Sequence, residues 1–319
     1  MKQCIVMLLF PIMLWSQSYV GHVENFPIHL QLDVYENSSQ ANTTRAEGYY
    51  FYDSKLINIP LKGVISNDTI TLIDGYFYNE DSISSAEEVF TLQKKGNTLI
   101  GQLKIKSQIY QVVLTETDTD PIEDFRNPKL HVVKDSVSTY NNKQIVWFHE
   151  AYSNMSLFRL GNGFTKSQRA IFNAKLDSIH FQFAQGKLDC NSWFEVSNTI
   201  NLVNDNFVSF KISYSVYCGG AHPSYGTVGY TFNLKTLLEV NNIEDLYPNI
   251  SFFQLLKSEY YDPSDPFQEE CNVFTDAYNW DNKVWNLTPK GVLLTPSYPH
   301  AMTPCEEDYF LSYDKLIAD

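Results

Sequence analysis

Between residues 25 and 116 the chain never sustains a helical period. It breaks instead into short runs such as HLQLDVYE, GYYFYD, INIPLKGVI, TITLIDGYFYN, VFTLQKK, LIGQLKIK and QIYQVVLTE. Polar turns separate them, at 37–42, Asp53-Ser54, Asn67-Asp68, 79–84 and Gly96-Asn97. Apolar residues that recur at every second position put one face of a strand in a core and the other in water. Short strands joined by tight turns, with no length left for crossover helices, predict an antiparallel up-and-down meander curled into a small barrel over 19–116. The aromatic content, 15% with 21 Tyr and 21 Phe, suits such half-buried pleated surfaces.

The chain opens with MKQCIVMLLFPIMLWSQS. Lys2 supplies a positive start, Cys4 to Trp15 an apolar run, and Ser16 or Ser18 the small residue that a signal peptidase needs. Such a run rises only about 18 Å as a helix, against about 30 Å of membrane hydrocarbon, and Pro11 interrupts it. Residues 1–18 therefore read as an export signal rather than a membrane span. The early Cys4 stands at the start of the apolar run, not after it, so no lipid anchor is expected. No other stretch approaches the length of a membrane helix. The expected location is the periplasm or the medium.

The formal net charge is -14, and losing Lys2 makes it one more negative. The acidic excess is spread along the chain and no basic stripe exists, which excludes nucleic acid as a partner. An acidic surface draws cationic partners; it also keeps an exported protein soluble. Of five cysteines, four remain after the signal: Cys190, Cys218, Cys271 and Cys305. Four cysteines in an oxidising compartment predict two disulfides. Residues 192–203 and 207–218 read as a hairpin about Asn204-Asp205-Asn206, whose open end Cys190 and Cys218 can bridge. That leaves Cys271 with Cys305. No C-x-x-C spacing exists, so no zinc site is expected, and no cofactor is implied.

A polar segment, 117–129, with Pro121 and Pro128, reads as a linker to a second domain over 130–319. There the pattern is mixed. Strands are expected near 131–135 and 145–153. Residues 165–184 carry Ile171, Phe172, Leu176, Ile179 and Phe183 at helical spacing, with Thr165 and Gln168 as a capping box. In the second arm of the hairpin, FVSFKISYSVY, Val208, Phe210, Ile212, Tyr214 and Val216 share one face. A further strand spans 226–233, and Asn249 is placed to cap a helix over 251–260. Strands follow at 284–287, 291–295 and 310–316. The whole is α+β: an antiparallel barrel, then an antiparallel sheet with two helices on one face.

The stretch FVSFKISYSVYCGGAHPSYGTVGYTFNLKTLLEV, 207–240, resembles the signature of an extracellular domain family, that of the lysozyme-sensing (RsiV-like) anti-sigma factor, which also accompanies some peptidoglycan deacetylases. In that family a strand runs into a GGAH turn, here Gly219 to His222. The segment IEDLYPNISFFQLL follows the family's Leu-x-Asp-Leu pattern with Ile243 for the first Leu. NLTPKGVLLTPSYP resembles its Leu-Thr-x-x-Gly-Leu hairpin with Val292 for the last Leu, and LSYDKL its terminal strand. The match covers about 145–316. It implies extracytoplasmic binding of lysozyme or another cell-wall ligand, and no chemistry, because the deacetylase activity belongs to a domain absent here.

The candidate ligand-binding residues are Gly219, Gly220 and His222 of the turn, Tyr217, Tyr225 and Tyr230 around it, and His300, with Glu306 or Glu307 as acidic companions. The bland alternative is that His222 ties the turn to a backbone carbonyl. Tyr214 is expected in the core. Two aromatic runs, 49–52 and 76–78, are further candidates for a binding surface. Catalysis finds little support. No G-x-S-x-G elbow is present, the cysteines are expected to be paired, and Glu87-Glu88, Glu269-Glu270 and Glu306-Glu307 are neighbours whose side chains diverge on a strand. The chain therefore reads as a non-enzymatic binding protein for a cationic protein such as lysozyme or a cell-wall glycan. The alternatives are a cell-wall hydrolase that depends on His222 and a small-molecule carrier that uses the barrel as a cup.

Overall fold

The computed structural model describes residues 15–36, 44–75 and 86–316. Residues 1–14 of the export signal expected over 1–18, and the aromatic run at 76–78, lie outside them. The chain divides into two compact units, residues 1–131 with 184–191, and 132–183 with 192–319.

The first unit is a closed eight-stranded antiparallel barrel whose strands neighbour each other in chain order. They are β1 (Trp15–Val23), β2 (Phe26–Glu36), β3 (Thr44–Tyr52), β4 (Ile59–Ser66), β5 (Thr69–Asp74), β6 (Glu88–Lys95), β7 (Thr98–Ile105) and β8 (Gln108–Thr117). Closure comes from β1 pairing with β8, from Ser18 opposite Thr117 to Val23 opposite Val112. The up-and-down meander expected from the alternation is what forms. Strand β1 takes up Trp15 to Ser18, residues that the sequence assigns to the end of the export signal. The alternation sets the inside: Ile28, Leu30 and Leu32 of β2 are buried, as are Leu72, Phe90, Leu92, Leu103 and Leu114. Eight strands bring these side chains together into one apolar core.

Residues 117–129 carry more structure than a linker needs. After β8, Pro121–Arg126 and Asn127–Lys129 form two short helical turns. Asp120 caps the first by accepting from the amides of Ile122 and Glu123 at 2.8 and 2.9 Å. Arg126 is buried, 1% exposed, and donates to Asp189 at 2.6 Å. Asn58 donates to the same carboxylate oxygen at 2.9 Å.

The second unit holds three antiparallel sheets rather than the single one expected. The first contains β9 (Val132–Tyr140), β10 (Lys143–Glu150) and β11 (Ser156–Leu160). The second contains β12 (Trp193–Val203), β13 (Phe207–Tyr217), β14 (Ser224–Asn233) and β15 (Leu238–Glu239). The third contains β16 (Val284–Leu287), β17 (Gly291–Thr295) and β18 (Tyr309–Ser312). The β12–β13 hairpin pairs Trp193 with Tyr217 through to Ile200 with Phe210, then shifts at a bulge. Helix α1 (Lys166–Asp189) starts at the capping box that the sequence marks: the Thr165 amide donates to Gln168 at 2.9 Å and the Gln168 amide to Thr165 Oγ1 at 3.2 Å. Its Phe172, Leu176 and Ile179 join Phe158, Phe210 and Phe232 in one core.

Helix α2 (Phe252–Tyr260) belongs to a second core with Trp280, Trp285 and Leu294. Its cap is Ser251, not Asn249. A short helix, α3 (Pro266–Cys271), follows. The terminal run expected as a strand stops at Ser312 and turns into α4 (Tyr313–Leu316), which buries Leu316. Two arrangements hold the second and third sheets together. Ser209 is fully buried and accepts from the Leu287 amide at 2.9 Å, with Thr231 at 2.8 Å and Asn286 at 3.3 Å from the same oxygen. Gly229 is the other: a Cβ there would stand 2.5 Å from the Trp285 carbonyl, so only glycine permits this approach.

Cys271 and Cys305 form a disulfide, and Cys190 and Cys218 are disulfide-bonded too. Among the described residues no helix is long and apolar enough to cross a membrane. Disulfides fit an oxidising, extracytoplasmic compartment.

Candidate binding site

The GGAH turn lies between β13 and β14. Gly219 and Gly220 have φ of 92° and 101°, values that side chains resist. Tyr217 fastens the turn by donating its hydroxyl to the Gly220 carbonyl at 3.0 Å. The turn projects His222 into solvent. His300, far away in sequence, lies over it on the helical turn 300–305: the two imidazoles are 4.2 Å apart at 37°, and Tyr225 is 5.8 Å from His300.

The Pro223 carbonyl explains how both rings are held. Proline can only accept there, so each histidine offers it an N–H. His222 Nδ1 donates at 3.1 Å, and His300 Nε2 donates to the same oxygen. The tie between His222 and a backbone carbonyl is thus real, and it orients the ring toward the surface rather than withdrawing it. The result is an exposed platform of two imidazoles and a tyrosine, 46% exposed at Tyr225.

An acidic groove of about 420 Å³ is lined by Lys211, Thr227, Thr295, Glu306, Glu307 and Asp308, of which Thr227 shares β14 with the platform and Glu306 to Asp308 follow His300 in the chain. Thr227 is two residues from Tyr225 on β14, hence on the same face of the sheet. Lys211 reaches Asp308 at 2.7 Å and Thr295 donates to it at 2.5 Å. Burial works to raise the Asp308 pKa, but the Lys211 and Thr295 hydrogen bonds and the lysine charge outweigh it and hold the carboxyl below its usual range. Glu306 Oε1 accepts from the Tyr298 amide at 3.1 Å, which fixes the chain between His300 and the groove.

Of the residues singled out from sequence, His222, His300 and Tyr225 come together, Gly219, Gly220 and Tyr217 shape the turn, and Glu306 and Glu307 line the groove. Tyr230 does not join them. It stacks on Phe210 at 4.9 Å against the core, and burial raises its hydroxyl pKa. The run 49–52 is largely absorbed in packing: Tyr50 and Phe51 are buried, and Tyr49 donates to Gln31 at 2.6 Å. Lys211, Thr227, Thr295 and Asp308 were missed. The polar alternation of β13, Ser209, Lys211 and Ser213 opposite the apolar face, was the available signal.

The hydrogen bonds shown for His222 and His300 both run to the Pro223 carbonyl. Another pairing, buried His29 with half-buried Asp53 at 3.3 Å, has His29 against the rings of Phe51 and Phe125 and Lys129 sharing the carboxylate. Among the described residues no group of three His, Cys, Asp or Glu could hold a metal. A second opening of about 610 Å³, lined by Asn241, Asn242, Ser251 and Phe253, gathers none of the candidate residues. Its wall also includes Trp280 and Trp285, both buried, whose indole N–H groups donate to the Val273 and Asn241 carbonyls.

No family model and no curated protein matches this chain. Among solved structures it is similar to a DUF3298 family protein from Pseudomonas aeruginosa PAO1, at 11% identity and a TM-score of 0.31, covering 59% of this chain and 89% of that one. It is also similar to a member of the DUF3298 family from Bacteroides fragilis NCTC 9343, at 10% identity and a TM-score of 0.31, covering 58% and 91%. At these TM-scores the likenesses do not establish a shared fold.

Proposed function

We propose that the chain is an exported, non-catalytic binding protein whose second unit recognises a cationic protein or a cell-wall glycan at the GGAH end, with lysozyme as the concrete protein candidate. The observation that carries this is a pair of surfaces that share β14: the exposed His222–His300–Tyr225 platform and the groove bearing Glu306, Glu307 and Asp308. Flat amphipathic rings give contact area at low entropic cost. The carboxylates supply acceptors for lysine and arginine side chains, each exposed pair contributing about 0–1 kcal/mol and weakened by salt. The overall charge of -14 steers such a partner toward the protein.

Calorimetric titration of the chain with lysozyme, and separately with soluble peptidoglycan fragments, tests this. The expected result is binding of one of the two that is abolished or at least about tenfold weaker in Tyr225→Ala and in the Glu306→Gln, Glu307→Gln double variant. For lysozyme, affinity also falls as salt rises. Absence of heat with both ligands at low salt would overturn the proposal. Turnover of the fragments that disappears in His222→Ala would replace it with the hydrolase reading.

A further inference from the structure

At one end of the barrel, where β1 turns into β2 and β7 into β8, the described residues frame an opening. There an open cavity of about 320 Å³ has Phe26, Tyr52, Ile105 and Tyr110 in its wall. This volume is at the lower end of the ~300–1,000 Å³ typical of small-molecule sites, and a mostly apolar wall with few polar groups is their usual make-up. Phe26 is 58% exposed and stands edge-on to Tyr52, 6.3 Å away at 90°. It leaves much of its ring to solvent at the mouth.

The polar side consists of Ser54 and Lys55, both exposed. Lys55 is the only charged side chain of the wall among the described residues. Its backbone is braced. The Lys55 and Leu56 amides both donate to the Tyr52 carbonyl at 2.9 Å, and the Asp53 amide donates to Pro27 at 3.0 Å. The Asp53 carboxylate is held by Lys129 and His29. Leu56, fully buried, keeps φ at 61°, a conformation that a branched aliphatic residue adopts only when its surroundings impose it. The turn that carries Lys55 is therefore fixed in place, at some cost in backbone strain.

We infer that this barrel mouth binds a small amphipathic monoanion, its apolar chain or ring against Phe26, Tyr52, Ile105 and Tyr110 and its carboxylate on Lys55. The site is separate in residues and chemistry from the GGAH end. It does not use the barrel interior.

Titration of the full chain with decanoate, decanol and decyltrimethylammonium, followed by calorimetry below micelle formation, tests the inference. Decanoate is expected to bind at one site, about tenfold tighter than decanol, and the ammonium not to bind. Phe26→Ser, at an exposed position, should weaken decanoate about tenfold. Lys55→Met should bring decanoate and decanol to equal affinity. His222→Ala should change nothing here, which separates this test from that of the GGAH end. No binding of decanoate, binding at several equivalent sites, a preference for the ammonium, or affinities unchanged in both folded variants would overturn it.

Discussion

The two units solve the same problem, what to do with the edges of antiparallel sheets, in opposite ways. The barrel pairs β1 with β8 and has no edge left. Its inside is almost entirely aliphatic and aromatic. The second unit keeps three sheets open and fastens them with polar groups: buried Ser209, Thr231 and Asn286 between sheets, and buried Arg159, which bonds Asp177 and His180 of α1. Closure is stabilised by apolar burial, which is non-directional. Open sheets depend on a few hydrogen bonds that must all be made. Open sheets also leave turns and strand ends free to carry side chains outward, and this is where the His222–His300 platform stands.

The comparison can be broken by substitution, the largest effect first. Phe90, 1% exposed and edge-on to Tyr50 at 5.1 Å inside the barrel, should lose about 3–5 kcal/mol of barrel stability when changed to Ala. Hydrogen exchange of β5 to β7 is expected to accelerate, and equal protection there would contradict a packed interior. Ser209→Ala in the second unit should cost about 1–3 kcal/mol, since the buried Leu287 amide and Thr231 hydroxyl lose their partner. A denaturant midpoint equal to that of the parent would show that the sheets are not joined through it.

A pH effect follows from His180, which is fully buried. It donates from Nε2 to the Met155 carbonyl at 2.6 Å and accepts at Nδ1 from Arg159 at 3.2 Å. Burial pushes its pKa down; the Met155 bond raises it, the Arg159 charge lowers it further, and Glu150 and Asp177 raise it. The folded state thus prefers the neutral ring. As pH falls through the ordinary imidazole value near 6.5, the unfolded chain takes up the proton first, so the stability contributed above that pH is progressively lost below it. His29, lowered by burial against the pull of Asp53, acts in the same direction in the barrel. Thermal melts from pH 7.5 to 5 should show a falling midpoint, with a shallower slope in His180→Gln. An identical slope would assign the loss to other groups. The smallest effect is expected at Lys211→Ala: its 24% exposed side chain pairs with Asp308, and its removal should shift stability by no more than about 1 kcal/mol while leaving the groove more acidic.

What was legible in the sequence follows the same division. Alternation alone specified the barrel, because closure requires only strands of suitable length in chain order. Local chemistry also read true: the Thr165–Gln168 box, the strands 284–287 and 291–295, and the Cys271–Cys305 disulfide. The division into three sheets was not legible. Ser209, Thr231 and Asn286 are polar residues whose burial depends on the third sheet, which no local pattern reports. Asn249 resembled a cap because capping residues also populate the turn before a helix, and the chain at 247–250 forms such a turn. His222 and His300 were each visible, but their approach depends on the Pro223 carbonyl and on the chain 298–305, which no local pattern encodes. Tyr230 was misplaced by its nearness in sequence to the turn, although its strand carries it back to the core.

Hydrogen–deuterium exchange on the full chain, with and without saturating lysozyme or peptidoglycan fragments, tests most directly whether recognition belongs to the open unit. The account predicts slowed exchange confined to 217–230 and 298–308, with the outer strands of the barrel and the chain at 241–253 unchanged. Protection of the barrel strands, or of 241–253 alone, would contradict it.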